Sequence, residues 1–232
     1  MNKIILGDGL LGSELVKQTD WDYISRKKDS IDFTDFSSYR NLIYNYDVVV
    51  NCIAYTNTYD TEREKHWETN YKGVAELVQI CNILNKKLIH ISTDYLYSNS
   101  ESNASEEDVP VHCKNWYGYT KLLADGYVQL EANNYLVIRC THKPYPFSYE
   151  EAFVNQIGNF DYVNNISQII VKLIENDAQG VYNVGTEMKS MYNMAVKTKE
   201  DVRPVNRKIH DTMPSDVSMN IDKLNIFLKD KD

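Results

Sequence analysis

Tyr117 and Lys121 stand four residues apart in the run Tyr117-Gly118-Tyr119-Thr120-Lys121, so on a helix they share one face. A phenol with a reference pKa near 10 is a poor acid or base at neutral pH until a nearby cation stabilises its phenolate. Lys121 can be that cation. The chain holds 18 tyrosines, so such pairs also arise by chance, and Tyr23 with Lys27 is another. Position in the fold has to separate them. Ser92-Thr93-Asp94-Tyr95 closes an apolar run 24 residues ahead of Tyr117, counted from Thr93. Its hydroxyls would lie at a strand end, where an open α/β sheet presents ligand-binding groups and a hydroxyl can hold a carbonyl oxygen; a capping hydroxyl is the plainer use of Thr93.

A second motif is Gly7-Asp8-Gly9-Leu10-Leu11-Gly12, directly after a short apolar run and at the start of a helical pattern. In that setting the first Gly permits a tight turn, the second lets backbone approach a pyrophosphate, and the third lets helix and strand pack closely. The helix N-terminus adds N–H groups and a positive dipole end. At the end of the second apolar run, where enzymes using NAD carry a carboxylate for the ribose 2′-hydroxyl, the chain reads Ser25-Arg26-Lys27-Lys28. These groups suit a 2′-phosphate and favour NADP(H), with NAD(H) the alternative; an exposed basic loop is the competing account.

Other chemistries find little support. The five histidines form no ligand-spaced set. Cys52, Cys81, Cys113 and Cys140 are scattered without C-x-x-C spacing, which fits a reducing cytoplasm better than a disulfide framework. The formal net charge of −8 opposes binding to a nucleic-acid backbone, and no apolar run is long enough for a signal peptide or membrane span.

The elements that must position these residues alternate. Lys3–Leu6, Asp22–Ser25, Asp47–Ile53, Lys87–Ser92 and Tyr135–Cys140 read as strands. Leu10–Gln18, Asp35–Tyr44, Glu62–Asn85 and Asn115–Glu131 read as helices, the third with Trp67, Tyr71, Val74, Leu77, Val78, Cys81 and Leu84 on one face. This order implies an α/β fold with a doubly wound parallel sheet of Rossmann type. The polar run Ser98–Asp108 reads as a surface loop with Glu106-Glu107-Asp108 solvated. Beyond Thr141 come a helix at Ile166–Asn176, a strand at Val181–Val184 and a last helix at Ile221–Leu228. The expected division is a dinucleotide-binding domain over 1–141 and a small lobe over 142–232, with about 160–185 packing back on the first.

Taken in order, the Gly loop, Thr93, Tyr117 and Lys121 resemble the extended short-chain dehydrogenase/reductases, and more narrowly their dTDP-4-dehydrorhamnose reductase branch. Asn51-Cys52-Ile53-Ala54-Tyr55-Thr56, Ser92-Thr93-Asp94-Tyr95, Tyr117–Leu122, Ile138-Arg139 and Tyr182-Asn183-Val184 carry the likeness. The resemblance implies a proton donor in Tyr117, a ribose-binding and tuning cation in Lys121, and a carbonyl holder in Thr93. It implies cofactor contacts from Gly7, Gly9, Leu10, Leu11, Gly12, Ser25, Arg26, Lys27, Asp32, Phe33, Cys52, Ile53, Ala54, Tyr55 and Ser92. Substrate contacts fall to Thr93, Asp94, Tyr95 and His142. The implied activity is NADPH-dependent reduction of a nucleotide-linked 4-keto-6-deoxy sugar, with a homodimer by analogy. Dehydratases of the superfamily follow Thr-Asp with a Glu that helps remove the C5 proton; Tyr95 stands in its place here. An epimerase or dehydratase of the same fold, and a dinucleotide-binding regulatory subunit, are the alternatives. The segment Arg139–Phe160 is short for the branch, and Thr141-His142 replaces an aromatic that many relatives carry.

Overall fold

The computed structural model describes residues 1–98, 100–108, 115–208 and 211–231; Cys113 and His112 lie outside them. In chain order the elements are β1 (Lys3–Leu6), α1 (Leu10–Gln18), β2 (Asp22–Ile24), α2 (Arg26–Asp29), β3 (Val48–Asn51), α3 (Arg63–His66), α4 (Gly73–Ile83), β4 (Lys87–Ile91), α5 (Trp116–Glu131) and β5 (Tyr135–Arg139). There follow β6 (His142–Lys143), β7 (Glu151–Phe153), β8 (Ile157–Gly158), β9 (Asp161–Tyr162), α6 (Val163–Glu175), β10 (Gly180–Asn183), β11 (Lys189–Ser190), α7 (Met191–Ala195), β12 (Arg203–Val205), β13 (Asp216–Val217) and α8 (Asp222–Lys229).

Short runs such as Ile4-Ile5-Leu6 and Val48-Val49-Val50 are apolar on both faces, as strands covered by helices on two sides must be. They form a six-stranded sheet in the order β10-β5-β4-β3-β1-β2 with every pairing parallel. Alternate residues sort to opposite faces. Ile5, Val48, Val50, Ile89 and Leu136 meet α1 and α6, while Ile4, Leu6, Val49, Leu88 and Val137 meet α4 and α5. The sheet is the doubly wound one expected, and the strand order reverses between β1 and β3, the place where such sheets bind ligands. Its last strand, β10, comes from beyond residue 142 and pairs with β5. The remaining strands form small sheets, β11-β8-β13, β12-β7 and β6-β9, around Phe147, Phe160, Tyr162, Met191 and Met194.

Two expectations need correction. Asp35–Tyr44 is not a helix: only Phe36–Ser38 make a single 3₁₀ turn. Asp32 accepts from the Thr34 amide and Asp35 from the Ser37 amide, and further i to i+3 bonds from Leu42 to Tyr39 and from Tyr46 to Ile43 turn the chain instead. Such side-chain bonds compete with helix formation. The run Ser98–Asp108 is not simply solvated, Asn99 lying outside the described residues. Ala104 is buried and bridges Met219, the Glu106 carboxylate accepts from the Asn183 amide at 2.9 Å, and its carbonyl accepts from Arg139.

The expected helix over Glu62–Asn85 forms, with a wide π turn at Trp67–Lys72 between α3 and α4. That turn aims Asn70 inward. Its Oδ1 accepts from the Tyr55 amide at 2.7 Å, and its Nδ2 donates to the Tyr55 carbonyl and to Thr120 Oγ1. One side chain therefore ties the segment after β3 to α5.

Arg139, at the end of β5, donates from two nitrogens to the Asp125 carboxylate of α5, at 2.8 and 3.0 Å, and both side chains are buried. Losing one partner of such a pair strands the other's charge. Arg139→Met should therefore lower unfolding stability by about 3–5 kcal/mol, whereas the double change to Met and Leu should recover much of it, as read by urea unfolding.

Candidate functional site

Over the C-terminal ends of the strands lies a cavity of about 370 Å³. Gly9, Leu10 and Leu11 of the first turn, Cys52 and Ala54 after β3, Ser92, Thr93 and Tyr95 after β4, Tyr117 and Lys121 of α5, and His142 all line it. Eleven residues named from the sequence thus meet in one space.

The glycine loop is built as a cradle. Gly7 has φ +96°, a region that disfavours side chains. A Cβ on Gly12 would lie 2.0 Å from the Gly7 carbonyl oxygen, so only glycine lets α1 start this close to β1. A Cβ on Gly9 would meet nothing, and no side chain caps α1, leaving its first-turn N–H groups for an anion such as a pyrophosphate. These residues fit a dinucleotide.

At the far end of that path Ser25 is buried and its Oγ accepts from the Lys28 amide, making it the cap of α2. Arg26 is exposed and lines a shallow recess with Ser30, Ile31, Asp32 and Thr34; Lys27 is exposed beside it. Asp32 is occupied by Thr34, whose two bonds hold its carboxyl below the usual range. Phe33 packs in the core against Tyr39, and Ile53 beside Gly7. The Tyr55 ring stands 4.8 Å from that of His66, and its hydroxyl binds Asp60. None of these three side chains enters the cavity.

Asn115 caps α5, its Oδ1 accepting from the Gly118 amide at 2.8 Å, and the helix then places Tyr117 and Lys121 one turn apart at the cavity. Burial pushes the Tyr117 phenol well above its ordinary range, and the Thr93 hydroxyl facing it partly offsets this. Thr93 serves both uses foreseen for it: it lines the cavity while its Oγ1 accepts from the Tyr95 amide at 3.3 Å. Tyr95 packs edge-on to Tyr117, centroids 5.8 Å apart. Lys121 is buried, and its Nζ lies 2.5 Å from the Ile91 carbonyl and 3.3 Å from His90 Nε2. Burial pulls its pKa down to about 8.

Asp94 lies just beneath. It is fully buried, Thr141 and Thr93 donate to its Oδ1, and its Oδ2 has no partner among the described residues. Burial raises its pKa to about 6. Lys143 and Tyr149 also line the cavity and went unnoticed in the sequence; Thr141 lines it too and was noted there only as a departure from the branch, although Thr141-His142-Lys143 follows a strand on the ligand-binding edge. Burial pushes the His142 imidazole down to about 4. Among the described residues no group of three or more His, Cys, Asp or Glu could hold a metal, and no helix is long and apolar enough to cross a membrane.

A sequence profile of the RmlD substrate binding domain matches residues 1–142. The chain belongs to the RmlD substrate binding domain family. Among its relatives, the spore coat polysaccharide biosynthesis protein SpsK of Bacillus subtilis is 26% identical over 226 residues, covering 87% of this chain and 80% of SpsK. A dTDP-4-dehydrorhamnose reductase of Mycolicibacterium smegmatis is 34% identical over 114 residues, 47% of this chain and only 34% of that enzyme. The fold matches a dTDP-4-dehydrorhamnose reductase of Bacillus anthracis, solved with NADP, at a TM-score of 0.83 and 23% identity over 98% of this chain and 92% of that one. The RmlD-family match covers the Gly loop, Thr93, Tyr117 and Lys121.

Asp94 carries a pH signature. Its folded pKa, near 6, exceeds its ordinary value of 3.8, so its contribution to stability is present below about pH 4 and is lost as the pH rises through 6. Asp94→Asn should remove that dependence and raise stability at pH 7 by about 2–3 kcal/mol, measured by thermal unfolding at pH 4 and pH 7.

Proposed function

We propose that this RmlD-family protein reduces a nucleotide-linked 4-keto-6-deoxy sugar with NADPH. The observation that carries the reading is the convergence of Thr93, Tyr117 and Lys121 on one cavity directly beyond the glycine cradle. The names of the reductases it resembles support the substrate class, and the NADP held by the Bacillus anthracis enzyme supports the cofactor. In this reading residues 1–141, with α6 and β10, hold the dinucleotide, and the remaining segments of 142–232 face the sugar.

Bound in the glycine cradle, NADPH would supply the hydride that the keto carbon takes up. Thr93 Oγ1, its hydrogen turned from Asp94 Oδ1, donates to the carbonyl oxygen, and Tyr117 Oη delivers the proton that turns the growing alkoxide into a hydroxyl. The elevated phenol pKa suits this direction, since Tyr117 keeps its proton until the oxygen becomes basic. Lys121 holds the nicotinamide ribose and lends charge to Tyr117. Orientation and acid transfer are the protein's share, the latter about 10²–10⁴-fold. Dehydration of a parent sugar would need a base at C5. Tyr95 cannot be it, because burial and the neighbouring Asp94 carboxylate drive its phenol further from ionisation.

The basic pair Arg26 and Lys27 beside the recess supports NADPH over NADH. The exposed Ile83 and Leu130 on α4 and α5 support pairing of these helices in a homodimer. The free thiols Cys52, Cys81 and Cys140 suit a reducing cytoplasm.

With NADPH and a dTDP-4-keto-6-deoxy sugar in deuterated water, one cofactor should be oxidised per sugar and NMR should find no deuterium at C5. Deuterium there would favour the epimerase or dehydratase reading. Tyr117→Phe should keep NADPH affinity and lose about 10²–10⁴-fold in kcat. Full turnover in that variant, or none in the unmodified protein despite tight NADPH binding, would favour a regulatory subunit. Arg26→Ala should weaken NADPH binding about 10-fold by titration and leave NADH unchanged.

A further inference from the structure

Beneath Lys121 runs a buried ladder of polar groups from β3 through β4 to α5. Asn51 ends β3 and His90 lies in β4, both shut off from solvent. The Ile53 amide donates to Asn51 Oδ1 at 3.1 Å. A backbone N–H can only donate, so this bond settles which end of the Asn51 amide is oxygen. Nδ2 of Asn51 therefore faces His90 Nδ1, at 3.4 Å, and it too can only donate. Nδ1 is the acceptor. A neutral imidazole with Nδ1 bare carries its hydrogen on Nε2, which lies 3.3 Å from Lys121 Nζ. An N–H pointing at an ammonium sets donor against donor; pointing at a free amine it makes a hydrogen bond. Nζ keeps a hydrogen for the Ile91 carbonyl at 2.5 Å.

We propose that His90, oriented by Asn51, parks Lys121 as a neutral amine at mildly alkaline pH in the cofactor-free protein, and that Lys121 takes one proton from solvent when a nicotinamide dinucleotide draws it out of this nest. His90 is thus a positioning residue that acts through Lys121. The inference rests on the reductase reading only for the identity of the cofactor.

The surroundings agree. Burial pulls Lys121 down towards neutrality, while Asp125, one turn along α5, and to a lesser extent Cys140 after β5 and Cys52 after β3 pull the other way, both thiols being kept protonated by burial. That carboxylate is spent on Arg139, Ser92 and Gln129. Tyr117, one turn back on α5, is un-ionised. His90 itself is kept neutral by burial and by any charge on Lys121.

Two measurements on the full chain test this. In protein carrying ¹⁵N-histidine, with the resonance assigned by loss in His90→Gln, His90 should show the neutral Nε2–H tautomer at pH 8.5 to 9.5. The Nδ1–H tautomer or an imidazolium overturns the proposal. Calorimetric titration with NADPH at pH 8.5, in two buffers of different ionisation enthalpy, should show uptake of about one proton, and affinity should fall about tenfold per pH unit between 8 and 9. Asn51→Asp, whose carboxylate would accept from both the Ile53 amide and Nδ1–H, should flip the tautomer and abolish the uptake. An uptake near zero in the unmodified protein, or one unchanged in Asn51→Asp with the tautomer flipped, sinks the idea. A chain that reduces no nucleotide sugar but shows the tautomer and the uptake loses the reductase reading and keeps this one. An active reductase with the Nδ1–H tautomer does the reverse.

Discussion

The buried pair of Arg139 and Asp125 is the constraint on which the site depends. Arg139 belongs to the sheet and Asp125 to the helix that presents Tyr117 and Lys121, so the pair sets where that helix lies along β5. The same carboxylate accepts from Ser92 Oγ at 2.7 Å, which fixes the strand end that leads into Thr93. The guanidinium reaches on to Tyr97 Oη and the Glu106 carbonyl, and Tyr97 donates to Asn183 of β10. Three parallel strands and one helix are thereby registered against one another by groups that apolar packing alone would leave free to slide. A pair of this kind contributes little net stability compared with a well-packed apolar substitute; its use is in specifying geometry.

A second consequence concerns what the cavity asks of its titratable groups. Tyr117, Asp94, Lys121 and His142 all sit where water is scarce, and burial moves each towards its uncharged form. A reaction in which a neutral ketone becomes a neutral alcohol, with charge only in passing, is compatible with such a site. In the proposed reaction Thr93 and Tyr117 would act at the moment that charge appears on oxygen.

Much of this was legible in the residues themselves. β1, β3, β4 and β5 are short apolar runs with no polar alternation, and the glycine loop and the Tyr117/Lys121 pair mark positions where backbone sterics or helical spacing admit few substitutes. What escaped was decided by hydrogen bonds, local in one case and distant in sequence in the other. Asp35–Tyr44 has helical spacing of apolar groups, but Asp32 and Asp35 bind the neighbouring amides first. Ser98–Asp108 has a loop's composition, yet Glu106 and Ala104 are claimed by β10 and by Met219. His90 and Asn51 carried a signal that went unused: a polar residue inside a strand otherwise apolar on both faces must find a partner in the core.

Asn115 has two employers. Its Oδ1 caps the first turn of α5, and its Nδ2 donates at 2.9 Å to the carbonyl of Thr212, in the segment that leads to β13. The amide group is rigid and planar, so a shift of that segment rotates the oxygen away from the Gly118 amide. A rearrangement of the segment carrying Thr212 would therefore reach, through that single amide, the turn of helix that bears Tyr117.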